Sequence, residues 1–171
     1  MNHPIYLVYA ATTPIAPEVA LAMAECSTLM GEFANPASLQ HNFGERAYNL
    51  VEKARADIAN FFNCRTNDLV FTSCATEANN LAIKGLALSQ QNKRKHIITS
   101  ATEHKAIIDT WIYLESHGLN VTYLKTDNND LIDLDTLLAA TTEDTFLVSL
   151  MHVNNETVVI QNIEAFAQAI E

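Results

Sequence analysis

The chain is short of positive charge, of cysteine and of long apolar runs, and each shortage closes a class of function. Ten basic residues face twenty acidic ones, a formal net charge of −10, and no basic patch stands out. Nucleic acid is therefore not an expected partner. Three cysteines, Cys26, Cys64 and Cys74, are odd in number and widely spaced. They form neither a zinc-ligand spacing nor a disulfide framework, so no metal is expected and a reducing cytoplasm fits. No apolar run is long enough to span a bilayer. The opening residues, Met1-Asn2-His3-Pro4-Ile5, lack the basic start and apolar core of a secretory signal. Repeats, low-complexity tracts and linkers are also missing.

What is present is a hydrophobic content of 49% over 171 residues, enough to bury the core of one domain. Tyr6-Leu7-Val8-Tyr9 is a short apolar run that gives way to loop at Ala10-Ala11-Thr12-Thr13-Pro14. Pro17 opens a helix predicted to reach about Met30. Asn35-Pro36 marks a loop over residues 31–38. From Phe43 onward, Ala47, Leu50, Val51, Ala54, Ile58 and Phe61 recur at the spacing of one helical face. After Asn63 the pattern alternates. Strands are expected at residues 69–72, 96–99, 121–124 and 146–151, and helices at 77–90, 105–116, 134–140 and 163–170. Gly118 stands where a helix C-terminal glycine belongs. These units predict an α/β fold with a mainly parallel sheet and flanking helices. Residues 1–65 read as an N-terminal helical segment and 66–171 as the layered part of a single, incomplete domain, since the sequence stops within a helical pattern at Ala169-Ile170-Glu171.

Three segments carry polar chemistry where predicted strands end. In Phe71-Thr72-Ser73-Cys74-Ala75-Thr76-Glu77, Ser73 and Thr76 are natural N-cap residues. The N–H groups around Ala75 and Thr76 can meet an oxyanion such as phosphate, or the segment is an ordinary capped helix. In Thr102-Glu103-His104-Lys105-Ala106, His104 starts a helix after a strand. It can stack on a planar ring or move protons, or it caps backbone. In His152-Val153-Asn154-Asn155-Glu156, two amides and a carboxylate follow an apolar strand, as a substrate site or a turn requires. All three fall at the same end of the predicted strands, where parallel sheets bind ligands.

Together with Ala11-Thr12-Thr13-Pro14 and Asn35-Pro36-Ala37-Ser38, these segments resemble, in order, the N-terminal part of NifS/IscS-type cysteine desulfurases. Those are pyridoxal-phosphate enzymes of the class V aminotransferase family, with fold type I. The resemblance covers essentially the whole chain. It implies part of the large cofactor-binding domain. Ala75 and Thr76 are expected at the cofactor phosphate, His104 on the pyridine ring as a catalytic and cofactor-binding residue, and Asn155 beside the substrate carboxylate. The Ala11-Thr12-Thr13 loop is expected at the site entrance. The implied reaction moves sulfur from L-cysteine, giving alanine, toward iron–sulfur clusters or tRNA thiolation. Homodimeric or heteromeric pairing with a desulfurase-like chain is implied, as are sulfur-acceptor proteins. Selenocysteine lyase is a related branch that these motifs do not separate.

The family's cofactor-pairing aspartate, its Ser-x-His-Lys lysine segment, its persulfide cysteine and its carboxylate-binding arginine have no counterpart in these 171 residues. The polypeptide alone is therefore expected to be inactive. The alternative is a non-catalytic binding module, or one half of a split enzyme. Three positions depart from the family pattern. Val8 stands in place of an aspartate. Cys74 replaces a glycine, at a cost of about 1–2 kcal/mol if φ there is positive. Val158 stands where the family carries another glycine. In the family's sheet the second, third and fourth strands are neighbours and the first lies at the far edge. An open sheet edge is therefore expected, and with it a tendency to aggregate.

Overall fold

A central strand buried at all five of its positions, β1 (His96–Ser100), organises the second half of the chain. In the computed structural model, residues 5–7, 9–10, 12–89 and 94–170 are described. The chain divides into two compact units, Met1–Phe71 and Thr72–Glu171.

The first unit contains α1 (Pro17–Cys26) and α2 (Asn42–Phe61). Proline at the first turn starts α1, which ends before the predicted Met30 because residues 27–30 form turns. The Nδ1 of His41 accepts the N–H of Gly44 (3.0 Å) and caps α2. Gly44 has no alternative: a Cβ there would lie 2.0 Å from the carbonyl oxygen of Ser38, so the Asn35–Ser38 turn closes directly onto it. The strand predicted at residues 69–72 does not form. A strand needs a paired neighbour, and here the Leu69 carbonyl is taken by Arg55 Nη1 (2.9 Å) while the Phe71 ring lies 4.7 Å below that guanidinium. Val8 and Ala11 lie outside the described residues.

The second unit runs α3 (Ala75–Ser89), β1, α4 (Lys105–Ser116), β2 (Asn120–Leu124), α5 (Leu134–Ala140), β3 (Thr145–Ser149) and α6 (Ile163–Ile170). The sheet is parallel, in the order β2-β1-β3. This is the expected block of second, third and fourth strands. A bulge between His96 and Ile97 shifts the β1–β3 register, so Ile97 faces Leu147. Alternation along β1 feeds two cores. Ile97 packs with Ile83, Ile107, Trp111 and Leu114 on the α3/α4 side. Ile98 packs with Leu124, Ile132, Leu137 and Phe166 on the α5/α6 side. Burying each such side chain stabilises by about 1.5–3 kcal/mol.

Among the described residues of the unit, buried side-chain polar groups are satisfied. Trp111 Nε1 donates to Thr99 Oγ1 (3.1 Å). Both ring nitrogens of His96 reach hydroxyls on the flanking strands, Thr145 (2.7 Å) and Thr122 (2.8 Å). Gly118, at φ +87°, ends α4. The N–H of Leu119 returns to Leu114 O and that of Gly118 to Glu115 O, which completes a Schellman motif.

Candidate active site

Parallel strands leave their loops at one end of the sheet, and there the unit forms a cavity of about 350 Å³. Its walls are residues 102–105 after β1, residues 154–157 after β3, and Asp130 after β2. His104 and Asn155 both line it.

His104 is the N-cap of α4, and its Nδ1 accepts the N–H of Ala106 (3.1 Å). With Nδ1 as the acceptor a ring proton sits on Nε2, and the bond holds the ring. The capping reading and the site reading of His104 are therefore compatible. Asn154 and Asn155 differ sharply in use. Asn154 Oδ1 accepts the N–H groups of Glu156 (2.8 Å) and Thr157 (3.0 Å), and its Nδ2 donates to Thr102 O (3.1 Å). Asn155 is exposed, with no side-chain hydrogen bond among the described residues. One amide builds the turn, and the other is left to the cavity.

Glu103, beside His104, accepts the N–H of Met151 on Oε1 (2.6 Å). Burial pushes its carboxyl above the usual range, and the bond from Met151 offsets this only in part. Sequence reasoning missed Glu103. The signal available was a carboxylate next to an apolar strand end, which needs a backbone donor.

Buried Gln161 ties a third loop to the site. Its Oε1 accepts the N–H of Ile132 (3.0 Å) and its Nε2 donates to Asp130 O (2.6 Å). Val158 closes the adjoining turn with φ +61°.

Ala75 and Thr76 form the first turn of α3 and do not line the cavity. The N-cap here is Cys74, whose carbonyl accepts the first helical bond from Ala78 (3.1 Å), rather than Ser73 or Thr76. Ser73 instead gives its N–H (2.7 Å) and hydroxyl (2.6 Å) to Glu77 Oε2. That contact lowers the Glu77 carboxyl, first through the hydroxyl and then through the N–H. The backbone at Cys74 is not in the left-handed region, so the strain considered for a lost glycine is not there. Its thiol is drawn below the usual range by the Glu77 N–H, then by the Ser73 hydroxyl, with a smaller contribution from the Thr76 N–H. The one hydrogen bond to the sulfur among the described residues is from the Ser73 hydroxyl (3.8 Å), and the nearby Glu77 carboxylate opposes the lowering. Thr12 and Thr13 belong to the first unit, where Thr12 O accepts from Tyr6 OH (3.0 Å) and Thr13 Oγ1 donates to Tyr9 O (3.1 Å).

No group of residues that could hold a metal ion occurs among the described residues, and no helix among them is long and apolar enough to cross a membrane.

Comparison with known proteins gives a consistent result. Residues 5–171 match the family described as aminotransferase class-V. Cysteine desulfurase IscS of Pseudoalteromonas translucida is 52% identical over 168 residues, covering 98% of this chain and 42% of the relative. A solved NifS-like protein superposes with a TM-score of 0.89 at 35% identity, covering 94% of this chain and 43% of that one. SspA, solved in complex with cysteine, gives 0.87 at 40% identity, covering 95% and 46%. The chain therefore spans less than half the length of the curated relatives it matches. It belongs to the class-V aminotransferase family, and within that family its likeness is to the pyridoxal-phosphate-dependent cysteine desulfurases.

Proposed function

We infer that these residues serve a cysteine desulfurase, which takes sulfur from L-cysteine and leaves alanine. The supporting observation is that His104 and Asn155, from loops after neighbouring parallel strands, share one cavity. The second unit is read as part of the cofactor-binding domain, whose start the sequence sets at residue 66.

Pyridoxal 5′-phosphate, when bound, supplies the electron sink that loosens bonds around the α-carbon of an amino acid. The chain's own residues bind and orient. The N–H groups of Ala75 and Thr76, with the Thr76 hydroxyl, would hold the phosphate at the start of α3. The His104 ring, fixed through Nδ1, covers the pyridine face and leaves Nε2 to hold or move a proton. Asn155, with no side-chain hydrogen bond among the described residues, would meet the carboxylate of the substrate cysteine. Sulfur leaves as a persulfide on a cysteine thiol that is none of Cys26, Cys64 or Cys74.

A cytoplasmic homodimer that passes sulfur to acceptor proteins fits this reading. A second reading is a non-catalytic module that pairs with another desulfurase chain. The apolar groove between α1 and α2, lined by Val19, Met23 and Leu50, favours it.

The test is alanine and sulfide release from cysteine. The 171 residues alone are expected to give none. Mixed with the complementary C-terminal segment of a cysteine desulfurase, they are expected to regain turnover, and His104→Ala is expected to abolish it. No turnover in the mixture contradicts the reading.

A further inference from the structure

Beyond Ser149 the β1–β3 ladder ends, and nothing in the sheet itself holds the two functional loops together. They are nevertheless joined twice. Glu103 Oε1 takes the N–H of Met151 at 2.6 Å, and Asn154 Nδ2 reaches Thr102 O at 3.1 Å. Both donors come from the β3 side and both acceptors from the β1 side, immediately before His104. We propose that Glu103 and Asn154 are positioning residues: a two-point clamp that fixes the loop carrying His104 against the loop carrying Asn155. This rests on the desulfurase reading of the site, and neither residue is given a role in the reaction itself.

Two features favour a clamp over incidental capping. Glu103 is half-buried and spends its carboxylate on one backbone N–H in another segment rather than on its own helix. A carboxylate in that setting is costly unless its acceptor role is used. Asn154 already closes its own turn through Oδ1, so the Nδ2 bond to Thr102 adds nothing to the turn. Each tie can be cut separately. Glu103→Gln keeps an acceptor for Met151, and Glu103→Leu removes it. Asn154→Asp keeps the turn-closing oxygen and removes the donor to Thr102.

The experiment is amide hydrogen exchange and ¹H–¹⁵N spectroscopy on the 171-residue chain, followed by titration with pyridoxal 5′-phosphate. Met151 exchange is expected to rise about tenfold in Glu103→Leu and to stay within about twofold in Glu103→Gln. Glu103→Leu and Asn154→Asp are both expected to shift the His104 and Asn155 resonances and leave His96 and Trp111 in place. Unchanged His104 and Asn155 resonances in Asn154→Asp, which needs no change at the half-buried carboxylate, overturn the proposal. In the titration, Glu103→Leu and Asn154→Asp are expected to weaken binding about fivefold or more and Glu103→Gln to preserve it. Exchange effects without any wild-type cofactor binding defeat the cofactor reading. Wild-type binding that the variants do not weaken defeats the clamp.

Discussion

The N–H of Val158 reaches the carbonyl of Asn154 at 2.9 Å, and closing this turn holds Val158 at φ +61°. A β-branched residue in the left-handed region is strained by roughly 1–2 kcal/mol. Glycine fits there, although its freedom in the unfolded chain returns part of the gain. Val158→Gly is therefore expected to raise stability by about 1 kcal/mol, read as a higher urea midpoint at unchanged slope. A lower midpoint would show that the strain is absent.

His104 carries a cap and a ring, and two substitutions separate them. Asparagine is a good N-cap, so His104→Asn is expected to stay within about 0.5 kcal/mol of the parent, and His104→Ala to lose about 1 kcal/mol. Both lack the ring, and both are expected to weaken pyridoxal phosphate binding alike in an absorbance titration. Retained binding in His104→Asn argues against the stacking role.

Glu103 gives the pH dependence. Its carboxyl sits above the ordinary value of 4.5 because of burial, so the folded protein holds that proton more tightly than the unfolded chain. Stability from this group is present at low pH and is lost as pH rises through the folded value. Glu103→Gln keeps the acceptor and cannot ionise. The variant is expected to match the parent in acid and to gain on it as pH rises toward neutrality, measured by urea unfolding at several pH values. A constant difference across that range contradicts the burial argument.

How much of this could be read from the residues depended on whether the signal was local. The bounds of α4, α5 and α6 follow from periodicity and end signals such as Gly118, and the structure has them where the sequence expects them. The parallel sheet was legible from the strand–helix units, and the neighbouring of its second, third and fourth strands came from the family resemblance. Residues 69–72 were misread because a strand's apolar run says nothing of whether a neighbour exists, and Arg55 takes the carbonyl that a neighbour needs. The pair Asn154-Asn155 was legible as a unit. Which amide builds and which serves depends on Thr102, 52 residues away, and no spacing rule carries that. His96, Glu103 and Gln161 were missed for the same reason: each is paid for by partners on other strands or loops.

Gln161 makes a fourth expectation about stability. Gln161→Leu leaves the Ile132 N–H and the Asp130 carbonyl without their partner. Such a loss costs about 1–3 kcal/mol for a buried group and less at half-buried Asp130, so a fall of roughly 2–4 kcal/mol is expected in denaturant unfolding. A change under 1 kcal/mol by that measurement would mean that water replaces the amide readily.

Cys74 is expected to be the most rapidly alkylated of the three exposed cysteines near neutral pH, because its lowered value leaves more thiolate there. Peptide mapping after brief iodoacetamide treatment checks this. Pyridoxal phosphate is expected to slow the reaction at Cys74 only. Equal labelling at all three sites counts against a donor-rich first turn in α3.

The proposed site sets a phosphate cup at Ala75 and Thr76 and a covering ring at His104 on one cofactor, and leaves Asn155 to the substrate carboxylate. Its most direct measurement is a ¹H–¹⁵N titration of the 171-residue chain with pyridoxal 5′-phosphate. Saturable shifts concentrated at Ala75, Thr76 and His104 are expected. Saturation with shifts elsewhere, or no shift at those three residues at millimolar cofactor, contradicts the proposed cofactor site.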